Sequence, residues 1–235
     1  SFRAWQKTNN LHLTTYVVGQ EFLDALPAYQ FEKTQDGHWR ERMVDVALRQ
    51  DLMEPEDRER LESSLKSLPN PTKKPRLRIV LAPQVTAPLK TLLQVDDDGN
   101  MLNEPASARS GSVVEVSPEA ILLVQDVAKM IDQQGGAALF IDYGQAGSAD
   151  TIRSFARHEQ VHFLSRPGQV DVTVDVDFRA LEHGVNSLGL RAKAFGPVGQ
   201  GQFLVSMGAS ERVIQLIESD STTEEQAENL YESLI

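Results

Sequence analysis

Apolar positions recur along the chain in short blocks broken by glycine, proline and charge. Residues 14–18, TTYVV, are β-branched and apolar and run into Gly19, which predicts a strand. DALPAYQFEK then reads as a turn into a short helical or extended piece. WRERMVDVAL alternates Met43, Val44 and Val46 with charges and predicts a second strand. Residues 51–68 are charged, with leucines at 52, 61, 65 and 68, and read as helical. PNPTKKP breaks any helix with its prolines and reads as a linker; LRIVLAP follows as a strand, and residues 95–112, with DDDGN, as turn or loop.

The clearest element is SPEAILLVQDVAKMIDQQGG. Ser117 suits the N-cap and Pro118 the first helical position, where its missing N–H costs nothing. Ile121, Val124, Ala128 and Ile131 form one apolar stripe, and Gly135 and Gly136 end the helix. AALFID follows at once as a buried strand. Helix, glycine turn and apolar strand in that order predict an α/β unit. In QVDVTVDVDF, Val170, Val172, Val174 and Val176 share one face of a strand. Asp171, Thr173, Asp175 and Asp177 share the other, as in an edge strand or hairpin arm. FRALEHGVNSLGL predicts a helix closed by Gly189, LRAKAFGPV a late strand, GASERVIQLIES a helix, and TTEEQAENLYESLI an acidic amphipathic helix. No internal repeat is visible.

Composition narrows the function classes. The 235 residues carry a net charge of −11, which disfavours broad binding to nucleic acid or anionic membranes and permits a basic partner segment. There are no cysteines, so disulfides, thiolate metal sites and cysteine nucleophiles are excluded. No run reaches the apolar length of a membrane span, and SFRAWQKTNN has neither an apolar signal core nor a long basic amphipathic pattern. The first residue is Ser, which reads as a processed or partial chain.

Candidate chemistry gathers where two apolar runs end. Glu21 and Asp24 follow TTYVV, and Asp142 and Tyr143 follow AALF. In open α/β sheets ligands bind outside the carboxyl ends of the strands. A guanidinium presents a planar fork of donors that two carboxylates can meet. Glu21 and Asp24 therefore read either as a grip on a cationic substrate or as turn acids, with Asp24 capping a helix. Asp142 and Tyr143 read as a pocket lining, with Gly144 letting backbone approach a ligand, or as a plain turn. HEQVH, residues 158–162, matches the H-E-x-x-H zinc signature. On a helix His158 and His162 would share a face beside Glu159, with Glu182 or His183 as a third ligand. The other reading is a surface helix with two unrelated histidines. GPVGQGQF reads as a tight bend rather than a dinucleotide loop, and KKPRLR is too short for a nucleic-acid site.

Taken together, EFLDALPAYQF, WRER, VEVSP, FIDYG, DTIR with Phe155, RPG, DVTVDVDF, GPVGQGQFL and SMG resemble, in order, the blocks of the MidA-type protein arginine methyltransferases. That family serves in assembly of mitochondrial respiratory complex I. The resemblance spans most of residues 14–218 and is loose over 45–110. It implies an α/β, Rossmann-like class I fold, S-adenosyl-L-methionine as methyl donor, a mitochondrial setting, and symmetric dimethylation of an arginine on a complex I subunit. It implies Glu21 and Asp24 as catalytic acids on the acceptor side, with Arg40, Glu41, Asp142 and Tyr143 as substrate-binding candidates.

The chain departs from that pattern at both ends. The family's glycine-rich cofactor loop has no counterpart here, nor has its closing block, and Gln20 stands where family members often carry Asn or His. The expected organisation is a fourth-strand region over 1–44, an inserted subdomain over 45–112, the carboxyl-side core over 113–218 and an acidic helix over 219–235. Only the fourth to sixth strands of a partial class I sheet are then present, their open edges favouring self-association, and the 235 residues alone are expected neither to bind the cofactor tightly nor to methylate. A non-catalytic assembly module holding an arginine-bearing segment, and a zinc peptidase using His158, Glu159 and His162, are the competing readings.

Overall fold

A computed structural model describes residues 14–47, 76–147, 149–165, 167–218 and 223–232. The helix expected over 51–68 and the PNPTKKP linker lie outside the described residues. The chain divides into two compact units, Ser1–Ala194 and Phe195–Ile235.

In the first unit, strand β1 (Thr15–Gln20) leads into an antiparallel sheet made by β2 (Tyr29–Lys33), β3 (Trp39–Ala47), β4 (Arg76–Leu81) and β5 (Val113–Val116), in the order β4-β3-β2-β5. DALPAYQFEK thus resolves to its extended alternative. A short helix, α1 (Ala87–Leu92), covers this sheet, capped by Thr86. Phe31, Trp39, Leu89, Leu93 and Val95 form its core, and the residue 95–112 segment is irregular apart from one bridge, Val95 to Met101.

Helix α2 (Pro118–Gln134) begins as its sequence dictates. The Ser117 hydroxyl accepts the Ala120 amide at 3.3 Å, and Pro118 opens the first turn; such a cap stabilises by about 1 kcal/mol. The helix ends at Gly135, and β6 (Gly136–Ile141) runs parallel to β1, pairing Thr15 with Gly136 and Gln20 with Ile141. Gly136 is obligatory: its φ is +129°, and a Cβ there would stand 1.8 Å from the Thr15 carbonyl oxygen. Among the described residues this parallel pair has no further strand on either edge, and Tyr16 and Val18 are 76% and 70% exposed. A second core, Leu23, Ala120, Val176 and Leu181, joins α2 to the loop after β1 and to helix α3, which spans Phe178–Asn186.

After β6 come β7 (Gly144–Gln145), β8 (Arg153–Ala156), β9 (Glu159–Val161), β10 (Asp171–Thr173) and β11 (Val176–Asp177). β8 and β9 form a hairpin with β10 beside β8; β11 pairs with β7. The single strand expected over QVDVTVDVDF is therefore split. At the break the Val174 amide donates to the Asp24 carbonyl (3.0 Å) and the Asp175 amide to Thr151 Oγ1 (2.8 Å), so neither continues a ladder. Val174 and Val176 are nevertheless buried, as the alternation predicts. Gly144 takes β7 against the Val176 backbone, where a Cβ would meet the Val176 oxygen at 2.1 Å; its close approach is to protein backbone. Helix α3 is capped by Asp177, and Gly189 follows it at φ +63°.

The late strand expected in LRAKAFGPV is absent. The Asp132 carboxylate takes the Arg191 and Ala192 amides, and 191–199 is irregular. In the second unit, α4 (Gln200–Ser206) begins within GPVGQGQF, which is a helix start at Gly199 rather than only a bend; α5 (Ala209–Ile217) and α6 (Glu224–Glu232) follow. Among the described residues no helix is long and apolar enough to cross a membrane.

Candidate acidic site

The parallel pairing of β1 with β6 brings Glu21 and Asp142 to one end of the ladder. The Glu21 amide donates to the Ile141 carbonyl at 2.9 Å. Asp142 then gathers the loop after β1: its Oδ2 accepts the amides of Phe22 (3.1 Å), Leu23 (2.8 Å) and Asp24 (3.3 Å), and its Oδ1 that of Tyr143 (2.9 Å). Such amide-to-carboxylate bonds are strong. Asp142 is engaged in shaping the loop, and Glu21 and Asp24 are the carboxylates it presents.

Glu21 sits at φ +45°, in the left-handed region that a non-glycine residue occupies at a cost of about 1–2 kcal/mol. Sharp turning at a strand tip aims its side chain at Tyr143, whose hydroxyl donates to Glu21 Oε1 at 3.3 Å. Asp24 is 6% exposed. Burial pushes its carboxyl above the usual range, and the neighbouring Asp142 and Glu21 charges add to this. The Ala25 amide and Arg153 act in the opposite direction. The Tyr143 phenol is also raised, first by the Glu21 charge and then by their shared hydrogen bond. The three acids thus stand close enough to feel one another, an arrangement that favours a cationic ligand.

Two residues that the sequence analysis did not single out complete the neighbourhood. Arg153 lies with its Cζ 6.0 Å from the Tyr143 ring centroid, and its Nη1 donates to Asp175 Oδ1 at 2.5 Å. Arg153 stands in the DTIR block and Asp175 on the polar face of the alternating run, 22 residues later, and no local signal in the sequence joins them.

Arg40 and Glu41 are placed elsewhere. Both lie on β3. Arg40 Nη1 donates to the carbonyls of Trp39 (2.8 Å) and Asp98 (2.9 Å), and Glu41 accepts the Thr86 hydroxyl. Arg40 lines a separate open cleft of about 520 Å³ with Asp36, His38, Thr86 and Lys90. None of these partners is shared with Glu21, Asp24, Asp142 or Tyr143.

The helix expected at HEQVH is not formed. Arg157 and His158 turn at φ +53° and +66° between β8 and β9, Glu159 opens β9, and His162 lies beyond it, stacked on Phe163 at 5.0 Å. A strand rises about 3.3 Å per residue against 1.5 Å in a helix, so positions 158 and 162 do not share one helical face. Among the described residues no group of three His, Asp or Glu side chains is placed to hold a metal. The zinc reading loses its geometric basis.

Comparison with known proteins agrees with the ordered blocks. A family model described as "Putative S-adenosyl-L-methionine-dependent methyltransferase" matches residues 1–196. "Protein arginine methyltransferase NDUFAF7, mitochondrial" of Xenopus tropicalis is 35% identical over 208 residues, covering 88% of this chain and 39% of the relative. Its human counterpart of the same name is 31% identical over 208 residues, covering 88% and 38%. A solved COG1565 superfamily protein from Burkholderia thailandensis, bound to S-adenosyl-homocysteine, aligns with TM-score 0.64 at 23% identity, covering 95% of this chain and 50% of that one. The likeness establishes an α/β fold of that type, and the chain spans well under half the length of the curated relatives it matches. The chain belongs to the family of S-adenosyl-L-methionine-dependent methyltransferases.

Proposed function

We propose that this chain is the acceptor-side portion of a protein arginine methyltransferase. The carrying observation is that Glu21 and Asp24 converge with Asp142 and Tyr143 at the shared carboxyl ends of β1 and β6. In this reading β1 and β6 are the fourth and fifth strands of a class I sheet, and residues 45–112 are an inserted subdomain whose β4 joins the antiparallel sheet that β2, β5 and most of β3 supply from the flanking segments. Residues 1–44 and 113–218 then belong to the core and 219–235 to an acidic terminal helix.

The chemistry asked of these residues is chiefly positioning. Glu21 and Asp24 offset the charge of a substrate guanidinium and fix its plane through forked hydrogen bonds. Holding the reacting nitrogen in line is worth a large part of such a rate enhancement. Asp24, whose carboxyl is raised above the usual range by burial and by the Asp142 charge, is the member of the pair suited to receive the proton that nitrogen gives up.

The described residues do not by themselves fit S-adenosyl-L-methionine. The turns after β1 and β6 present acids and a phenol, and no glycine-rich turn with convergent amides stands beside them. When bound, the cofactor would supply the methyl group; in this reading the 235 residues alone are inactive. Micromolar cofactor affinity of the isolated chain in calorimetric titration would refute that part. By the names of the relatives, the substrate is a protein arginine in mitochondria; symmetric dimethylation of a complex I subunit is the finer form of the same proposal.

Methylation of an arginine-bearing peptide by the full-length enzyme tests the site. Glu21→Gln and Asp24→Asn should each lower kcat/KM for the peptide by about 30-fold or more, the loss of a charged bond to the guanidinium. Unchanged peptide kinetics in both variants would reject the assignment.

A further inference from the structure

The site carries a guanidinium of its own. Arg153 stands over Tyr143 at 6.0 Å, and its charge reaches Asp24. An arginine whose charge reaches one of the two carboxylates that await an arginine, and which stands over the tyrosine bonded to the other, is a potential competitor for them. Its side chain is restrained on the other side: Nη1 donates to Asp175 Oδ1 (2.5 Å) and, at 3.4 Å, to the Thr151 carbonyl.

Those restraints are themselves anchored deep in the antiparallel sheet. Glu115 on β5 is 6% exposed. Its Oε1 accepts from Gln30 Nε2 (2.8 Å) and the Ile152 amide (3.2 Å); its Oε2 accepts from the Thr151 amide (3.1 Å) and hydroxyl (2.6 Å). A buried carboxylate is tolerated only when bonded in this way. A hydroxyl has one proton. Because Thr151 gives it to Glu115, its oxygen can only accept from the Asp175 amide, which it does at 2.8 Å. The direction of the chain Glu115, Thr151, Asp175, Arg153 is thereby fixed.

We propose that this relay parks the chain's own guanidinium, so that it does not compete with the substrate's for Glu21 and Asp24; Glu115, Thr151 and Asp175 are positioning residues that set affinity for arginine. The inference rests on the acceptor-side reading above. It also assigns a task to the VEVSP and DTIR blocks: they hold Arg153 in place. In Asp175→Asn the guanidinium loses its ionic partner and is free to swing onto the acidic pair as an intramolecular inhibitor.

The test is steady-state methylation of an unmethylated arginine peptide by the full-length enzyme. Asp175→Asn should raise peptide KM about tenfold, the worth of one charged contact, with cofactor KM unchanged. Adding Arg153→Met should bring peptide KM back to within about threefold of the parent. Thr151→Val should act in the same direction as Asp175→Asn and Thr151→Ser should not, because serine keeps the hydroxyl. A purely structural role would not be rescued by deleting Arg153, so failure of Arg153→Met to restore KM overturns the proposal. Should Asp175→Asn not fold, Thr151→Val with and without Arg153→Met is read in the same way. Asp24→Asn serves as the control. If it lowers peptide kcat/KM while the rescue fails, only the parking of Arg153 is wrong; if it leaves peptide kcat/KM unchanged, the acceptor-side reading falls as well.

Discussion

Asp142 Oδ2 accepts the Leu23 amide at 2.8 Å, a bond between residues 119 apart in the sequence. The same oxygen takes the amides on either side of Leu23, so one carboxylate fixes the backbone of the loop that carries Glu21 and Asp24. Asp142→Ala leaves those amides without their acceptor. It should destabilise the chain by about 1.5–3 kcal/mol, the range for bonds to a charged group. Urea unfolding monitored by circular dichroism measures this. A change below about 0.5 kcal/mol, the scale of an ordinary surface substitution, would show that the loop does not depend on Asp142.

Asp24 makes stability depend on pH in a defined sense. Its carboxyl is raised in the folded chain by burial and by Asp142, so the folded state binds that proton more tightly than the unfolded state. Its contribution to stability is greatest at acid pH, below the unfolded value. It declines as pH rises through the folded value and stays constant above it. Asp24→Asn, isosteric and uncharged, should remove this decline. Its thermal midpoint at pH 7 should exceed the parent's, by about 2–4 °C for each kcal/mol recovered. Equal midpoints at pH 7 would contradict the assignment of burial as the dominant cause.

Glu21 trades backbone comfort for orientation. At φ +45° a glycine is more at ease. Glu21→Gly should therefore stabilise by about 0.5–1 kcal/mol, although it removes the partner of the Tyr143 hydroxyl. Differential scanning calorimetry of the variant provides the check, and destabilisation would mean that the Tyr143 contact outweighs the strain.

Gly136 admits no side chain. A Cβ would meet the Thr15 oxygen at 1.8 Å and the residue lies at φ +129°. Gly136→Ala should cost upwards of about 3 kcal/mol, since backbone must move and strain is added. Gly37, with open space around it, serves as the control: Gly37→Ala at φ +90° bears only the conformational cost. Similar midpoints for the two variants would argue against the tight β1–β6 approach.

The sequence made local chemistry legible wherever one element decides it. Ser117 and Pro118 start α2, Gly135 and Gly136 end it, and the acids after two apolar runs meet because those runs pair in parallel. It misled where tertiary partners override period. The alternation of residues 170–177 continues through Asp175 in sequence, but Thr151 and Asp24 claim the intervening amides and divide the strand. HEQVH carries helical spacing, yet Arg157 and His158 turn the chain into a hairpin. Arg191 invited extension into a strand, and Asp132, 59 residues earlier, holds its amide instead. Arg153 escaped notice because a cation beside acids reads locally as an ordinary ion pair; only the third dimension sets it over Tyr143.

That the β1–β6 ladder has no further strand on either edge among the described residues bears on handling of the protein. Outward amides and carbonyls on a two-strand ribbon, with Tyr16 and Val18 turned to water, offer any extended peptide a template for docking. Concentrated solutions of the 235-residue polypeptide should accordingly form reversible, salt-tolerant oligomers. Sedimentation velocity across a dilution series would register them, and a lysine in place of Val18 would disperse them.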